Sequence, residues 1–336
     1  MDFDQLLGAS PLCRRLGIAY PIIQAGMGQV AYGALAGAVS AAGGLGVIGS
    51  GYLSGEELRR EIRIVREITD KPFGVDILFA KAEAGDPTSV RYTRQVTDQI
   101  NVTLEERVPV LISGLGNPLG VIAEAHAAGM IVMSVVGNVQ QARKLERDGV
   151  DMIIASGADG GGHVGRVGTI ALVPAVAAAV KVPVVAGGGI ASGRGLVAAL
   201  ALGAAGVWMG TRFIASAEAR AHANYKAMIV DANDESTIVS RALSSKPTRL
   251  LVNDFTRYWE RHPEEIQPFP LQLEKVGAPA SVRGRIEGDV ANGALPAGQS
   301  VAMISSVKPV AEIIADIRAE ARGCLERLYS GGVSAV

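Results

Sequence analysis

Aromatic residues are scarce in this chain of 336 residues, at 4 %, and its formal net charge is only -1. Single-stranded nucleic acid needs stacking rings beside a basic groove, and a phosphate backbone or anionic membrane needs a positive footprint. Neither partner is expected. The two cysteines, Cys13 and Cys324, lie near opposite ends, so no metal-binding spacing and no disulfide framework can be drawn from them. Two free thiols in a reducing compartment are expected instead. Met1-Asp2-Phe3-Asp4-Gln5 carries acids where an export signal needs a basic head and an apolar run, which points to a cytoplasmic protein. The longest uncharged run, between Arg194 and Arg212, is interrupted by Gly203, Gly206 and Gly210 and falls short of a comfortable membrane span.

What the chain does have is apolar residues, at 49 %, and 42 glycines. That balance suits glycine-punctuated parallel strands covered by alanine-rich helices. Strand-like runs at 20–25, 45–48, 73–78, 108–113, 131–135, 152–155, 182–186 and 206–209 alternate with helical segments. Ser54-Gly55-Glu56-Glu57 supplies a capping box for one of these helices, and Lys71-Pro72 stops it. Residues 80–90 read as a polar loop and 91–101 as the helix after it. The alternation predicts an α/β fold, a (β/α)8 TIM barrel over residues 1–218, for which about 250 residues is the usual size. Beyond it the composition becomes more charged and proline-bearing, and an appended smaller helical lobe, 219–300, is expected to cover the substrate. In 301–336, Ile313, Ile314, Ile317, Ala321, Leu325 and Leu328 recur at helical spacing, which predicts a helix over 310–329 packed back on the barrel.

The sixth strand-like run leads into Ser156-Gly157-Ala158-Asp159-Gly160-Gly161-Gly162-His163-Val164-Gly165-Arg166, which holds one of only four histidines. Such a stretch makes a poor core segment, because glycine buries no side chain and costs backbone entropy when ordered. It makes a good loop for bringing a flat ligand close to the backbone while an imidazole projects at it. A plain glycine turn with a surface histidine is the alternative. Gly26-Met27-Gly28-Gln29-Val30-Ala31 fits the glycine pattern of dinucleotide folds, but no acid stands about 20 residues on to hold a ribose. Gly44-Leu45-Gly46-Val47-Ile48-Gly49 fits the same pattern but follows a helix. A pair of later turns is more informative. Strand seven ends in Gly187-Gly188-Gly189 and strand eight in Gly210-Thr211, and in such barrels the loops after these two strands build phosphate cradles from main-chain N–H groups. Gly188, Gly189, Gly210 and Thr211 are therefore candidate phosphate-binding residues.

Five ordered motifs carry a family resemblance: Pro21-Ile22-Ile23-Gln24-Ala25-Gly26-Met27, Lys71-Pro72-Phe73-Gly74-Val75, the His163 loop, Ala186-Gly187-Gly188-Gly189-Ile190 and Gly210-Thr211-Arg212-Phe213. Together, from about Leu16 to Leu328, they resemble the nitronate monooxygenases (2-nitropropane dioxygenases), whose fold and motifs are shared by FMN-dependent enoyl-ACP reductases of type II. The resemblance implies non-covalent FMN, with its ring near Gly26, Met27, Asp76 and Gly162, its phosphate at the four candidates above, and Gln299 as a further contact. His163 is the implied catalytic group, whereas His126, His222 and His262 carry no such role, and no metal is implied. In the family loop G-x-E-A-G-G-H-x-G, Asp159 here replaces the glutamate and Gly160 the alanine. Asp76 stands where the family often has asparagine, and an anion there would oppose a reduced flavin, so it is either protonated or turned elsewhere.

The implied activity is oxidation of alkyl nitronates or nitroalkanes with O2, with His163 as base. The alternative is NAD(P)H-dependent reduction of an enoyl thioester or a quinone, and Glu287-Gly288-Asp289-Val290-Ala291-Asn292-Gly293 and Ala297-Gly298-Gln299 look closer to that branch. A flavin-free phosphate-binding barrel, such as an isomerase, is a third class. The partner is a small-molecule substrate in each case, and a homodimer is left open.

Overall fold

The computed structural model describes residues 7–79 and 92–330. Its barrel strands are β1 (Ile22–Gln24), β2 (Gly46–Gly49), β3 (Phe73–Leu78), β4 (Val110–Leu115), β5 (Ile131–Val136) and β6 (Met152–Ser156), followed after the short β7 (Gly162–His163) by β8 (Val184–Gly187) and β9 (Gly206–Met209). All barrel pairings are parallel, in the order β1-β9-β8-β6-β5-β4-β3-β2, and a bridge between Ile23 and Leu45 joins the two ends. Gln24 fastens that seam: its buried side chain donates to Val47 O at 3.1 Å and accepts from Val47 N–H at 3.0 Å. A (β/α)8 barrel results, as the alternating sequence pattern predicts.

Side chains alternate across a strand, and here the alternation separates two cores. Ile23, Val47, Ile112, Met133, Ile154, Val185 and Trp208 form one cluster inside the barrel, while their neighbours Ile22, Ile48, Leu111, Val132, Ile153, Ala186 and Val207 join the layer beneath the helices. The helix Pro11–Leu16 adds Leu12, Cys13 and Leu16 to the inner cluster and thereby plugs the N-terminal end. Only the opposite end is free to bind.

The capping box forms at the start of the helix Gly55–Ile68, where Ser54 Oγ accepts from Glu57 N–H at 3.2 Å and the Glu57 carboxylate accepts from Ser54 N–H at 2.8 Å. The helix expected over 91–101 is found at Arg94–Glu105; the preceding loop, 80–90, and Arg91 lie outside the described residues. The helix Val310–Tyr329 packs on Gly33–Ala41 and Gly193–Ala201, burying Ile313, Ile314, Ile317 and Ala321. Leu328, expected on the same face, is exposed, because the apolar stripe is a turn longer than the surface it covers.

After β9 the chain builds helices Ala223–Val230, Asp254–Arg261 and Ala278–Arg285 together with a hairpin, β10 (Thr237–Ser240) and β11 (Thr248–Leu251). Ala242, Leu243, Leu250, Phe255, Ala280 and Ala294 give this lobe a small core of its own. Its edge strand does not stop at the hairpin. β11 pairs antiparallel with β7, setting Thr248 opposite His163 and Arg249 opposite Gly162, so the glycine loop of the barrel is also the third strand of the lobe's sheet.

Candidate active site

The C-terminal ends of the barrel strands open into a cavity of about 1360 Å³, counted out to open solvent. Gly26, Met27, Asp76, Gly162, His163, Gly188, Gly189, Gly210 and Thr211 all line it, so the structure brings these sequence-predicted residues together. Gln299 is the exception: it is exposed, its N–H donates to Asp159 O at 2.9 Å, and its neighbours Gly298 and Ser300 line the cavity in its place. It ties two loops together rather than facing the mouth.

His163 is aimed by β11. Its Nε2 lies 2.7 Å from the hydroxyl of Ser244, which is fully buried, and this leaves Nδ1 to the cavity. The ring is open to solvent on the mouth side and enclosed by protein elsewhere. That enclosure, followed by the positive charges of Lys246 and Arg285, lowers its pKa to about 4. The imidazole is neutral at pH 7.

Asp76 shows the reverse effect. It sits at the end region of β3 with the carboxyl pressed between backbones: a Cβ on Gly26 would lie 2.4 Å from Asp76 Oδ2, and one on Gly114 would lie 2.4 Å from Oδ1. Oδ1 is buried with no hydrogen-bond partner. Burial raises the pKa to about 8, opposed only by the N–H of Gly114. Asp76 is not turned elsewhere: it lines the mouth, where burial favours its protonated form.

The replacement of glutamate by Asp159 leaves the loop braced: Asp159 Oδ2 accepts from Thr169 N–H at 2.6 Å, at the start of the helix Thr169–Ala177, and Thr169 Oγ1 donates to Gly188 O at 3.0 Å. Opposite it, Gly188 and Gly189 have φ of +95° and +70°, a backbone that L side chains rarely adopt. Thr211 Oγ1 accepts from Gly298 N–H at 2.9 Å, fastening the last barrel turn to the segment that returns from the lobe.

The other histidines have structural partners. His126 Nε2 meets Asp151 Oδ2 at 2.8 Å, His222 Nδ1 accepts from Asn224 N–H at 3.1 Å, and His262 stacks on Tyr258. Sequence reasoning missed Ser244, Lys246, Tyr225 and Arg285, all contributed by the lobe. Sequence reasoning gave none of them a role, although Ala221-His222-Ala223-Asn224-Tyr225-Lys226 resembles the enoyl reductase branch; the pairing of β7 with β11 brings the segment of Ser244 and Lys246 to His163, and two lobe helices carry Tyr225 and Arg285.

Polar groups gathered at the C-terminal ends of the strands of a closed barrel, beneath a lobe that contributes to the same cavity, define a (β/α)8-barrel enzyme. The pattern that describes the nitronate monooxygenase family matches residues 9–320. A nitronate monooxygenase of Paraburkholderia phytofirmans is 33 % identical over 96 % of this chain and 97 % of its own length. Among solved structures, FabK from Thermotoga maritima is 41 % identical with a TM-score of 0.86, over 96 % of this chain and 98 % of that one. A nitroalkane oxidase from Streptomyces ansochromogenes is 30 % identical with a TM-score of 0.83, over 96 % and 99 %. The chain belongs to the nitronate monooxygenase family and is an oxidoreductase. Among the described residues, no helix is long and apolar enough to cross a membrane.

Proposed function

We propose that this protein is an FMN-dependent oxidoreductase that oxidises alkyl nitronates, and nitroalkanes by way of them, with dioxygen. The residues present fit the cofactor. Two successive glycines with positive φ can turn neighbouring N–H groups toward one anion, the arrangement of a phosphate nest, and Gly210 with Thr211 lies across from them on the cavity wall. The unpartnered Oδ1 of Asp76, beside bare backbone at Gly26, suits the edge of a flat ring that carries its own donors and acceptors. Bound there, FMN supplies a two-electron acceptor that dioxygen can regenerate.

The observation that carries the reading is the placement of His163 on the wall of the same cavity as the glycine turns, its Nε2 2.7 Å from Ser244 Oγ, with Asp76 the one lining carboxyl among the described residues. When Nε2–H donates to Ser244 Oγ, Nδ1 keeps its lone pair and can receive a carbon-bound proton. A base held near pKa 4 is weak at neutral pH, and acid–base efficiency is greatest when the pKa lies near the working pH. The anionic nitronate, already deprotonated, is therefore the better substrate, and the parent nitroalkane is turned over more slowly.

A second reading, NAD(P)H-dependent reduction of an enoyl thioester or a quinone, is supported by the 41 % identity with FabK over nearly the whole chain and by the enoyl-reductase side of the sequence resemblance. Anaerobic mixing separates the two. Bleaching of the flavin absorbance by ethyl nitronate, with none by NADH or NADPH, is the expected result. Bleaching by a nicotinamide alone defeats the proposal in favour of the second reading, and a colourless purified protein defeats both.

A further inference from the structure

Arg285, the last residue of the helix Ala278–Arg285, is a cation that the fold buries without a counter-ion. It is 6 % exposed and lines the mouth from the lobe side. Its Nε donates to Ala294 O at 3.2 Å and its Nη1 to Gly28 O at 3.1 Å, and the ring of Tyr52 lies 6.0 Å from the guanidinium carbon. Among the described residues no carboxylate pairs with it. Nη2 has no protein acceptor and is not among the atoms sealed in the interior. Removing a charge from water is costly unless an opposite charge or a full set of acceptors compensates. Two carbonyls supply part of that compensation, and the remaining hydrogens of the fork are available to the cavity.

We propose that Arg285 is a substrate-binding and specificity-determining residue, whose free Nη2 edge receives a small organic anion with its charge spread over two coplanar oxygens. Arginine matches such an ion because its donors form a rigid planar fork. Here the fork is fixed on the other side by Gly28 of the barrel and Ala294 of the lobe, so its direction is set before the ligand arrives. The field has no local opposition. Asp76 is the one carboxyl lining the cavity among the described residues, and it is protonated at neutral pH, while Lys246, on the same side as His163, adds to the positive potential. The inference rests on the nitronate reading only for which anion is turned over; a nitronate and a carboxylate share the required shape and charge.

Non-reacting probes test this without any turnover. Acetate and its neutral isostere acetamide are titrated calorimetrically into the purified protein at pH 7 and low salt, with Arg285→Gln, Arg285→Lys and Lys246→Gln compared against the parent. Acetate is expected to bind the parent more tightly than acetamide. Arg285→Gln should weaken acetate by about tenfold or more while leaving acetamide unchanged, and Arg285→Lys should restore part of the difference, since it keeps the charge but loses the planar fork. Equal weakening of both probes shows that Arg285 only straps Gly28 to the lobe, and overturns the proposal. So does loss of the acetate preference in Lys246→Gln alone. Should Arg285→Gln not fold, the parent decides: no preference for acetate, or one that added salt does not reduce, also overturns it. Failure of nitronate oxidation would count against the proposed activity and leave this measurement standing.

Discussion

Loss of water displaces two titratable groups in the mouth in opposite directions, raising the buried Asp76 from 3.8 to about 8 and lowering the solvent-edged His163 from 6.5 to about 4, the latter with help from Lys246 and Arg285, because in each it disfavours the charged form. For Asp76, the unfolded chain releases its proton near pH 4 and the folded chain only near 8, so stability is lost progressively as pH rises between those values. Asp76→Asn removes that loss. Its melting temperature is expected to exceed the parent's by several degrees at pH 8, with the gain shrinking as pH is lowered toward 4; a gain that does not vary with pH would contradict the protonated carboxyl. For His163 the sign is reversed: the unfolded chain takes up a proton that the folded chain refuses, so stability is lost as pH falls from 6.5 toward 4. His163→Ala should retain its flavin and lose roughly 10²-fold in turnover of a nitroalkane, the usual worth of a positioned acid–base group. With the preformed nitronate the loss should be smaller, and steady-state rates on the two substrates give the comparison.

Among the elements, those that could be read in the sequence owe their form to neighbours in the chain. The capping box at Ser54 and the strand Phe73–Leu78 are specified within a few residues, and both are found where the pattern puts them. β7 could not be read that way, since a Gly-His pair has no strand propensity of its own and is held by β11, whose Thr248 lies far along the chain. Helix contacts depend on distant partners in the same way. Gly193 opens its helix against the C-terminal one, and a Cβ there would stand 2.2 Å from Ile317 O. Gly193→Ala should therefore cost about 1–3 kcal/mol, the range for overpacking a well-packed contact. Denaturant titration reads the loss, and flavin content per folded molecule should not change.

At the scale of the whole molecule the site is composite. The barrel contributes the glycine turns, Asp76 and the loop of His163, and the lobe contributes Tyr225 and Arg285 to the same cavity and Ser244 as the buried partner of His163. The sequence by itself determined the barrel, since eight alternating apolar runs admit few other ways of burying both faces of each strand, and it marked the glycine turns and His163, because only glycine tolerates those backbones beside a ligand. The tertiary structure alone decided that His163 Nε2 meets Ser244, that Asp76 is buried with one oxygen unpartnered, that Gln299 does not line the cavity, and that a cation from the lobe is enclosed without a counter-ion. These are consequences of enclosure and of contacts between residues up to 257 positions apart, and neither local propensity nor motif spacing encodes how much water a side chain keeps once the two parts have closed on each other.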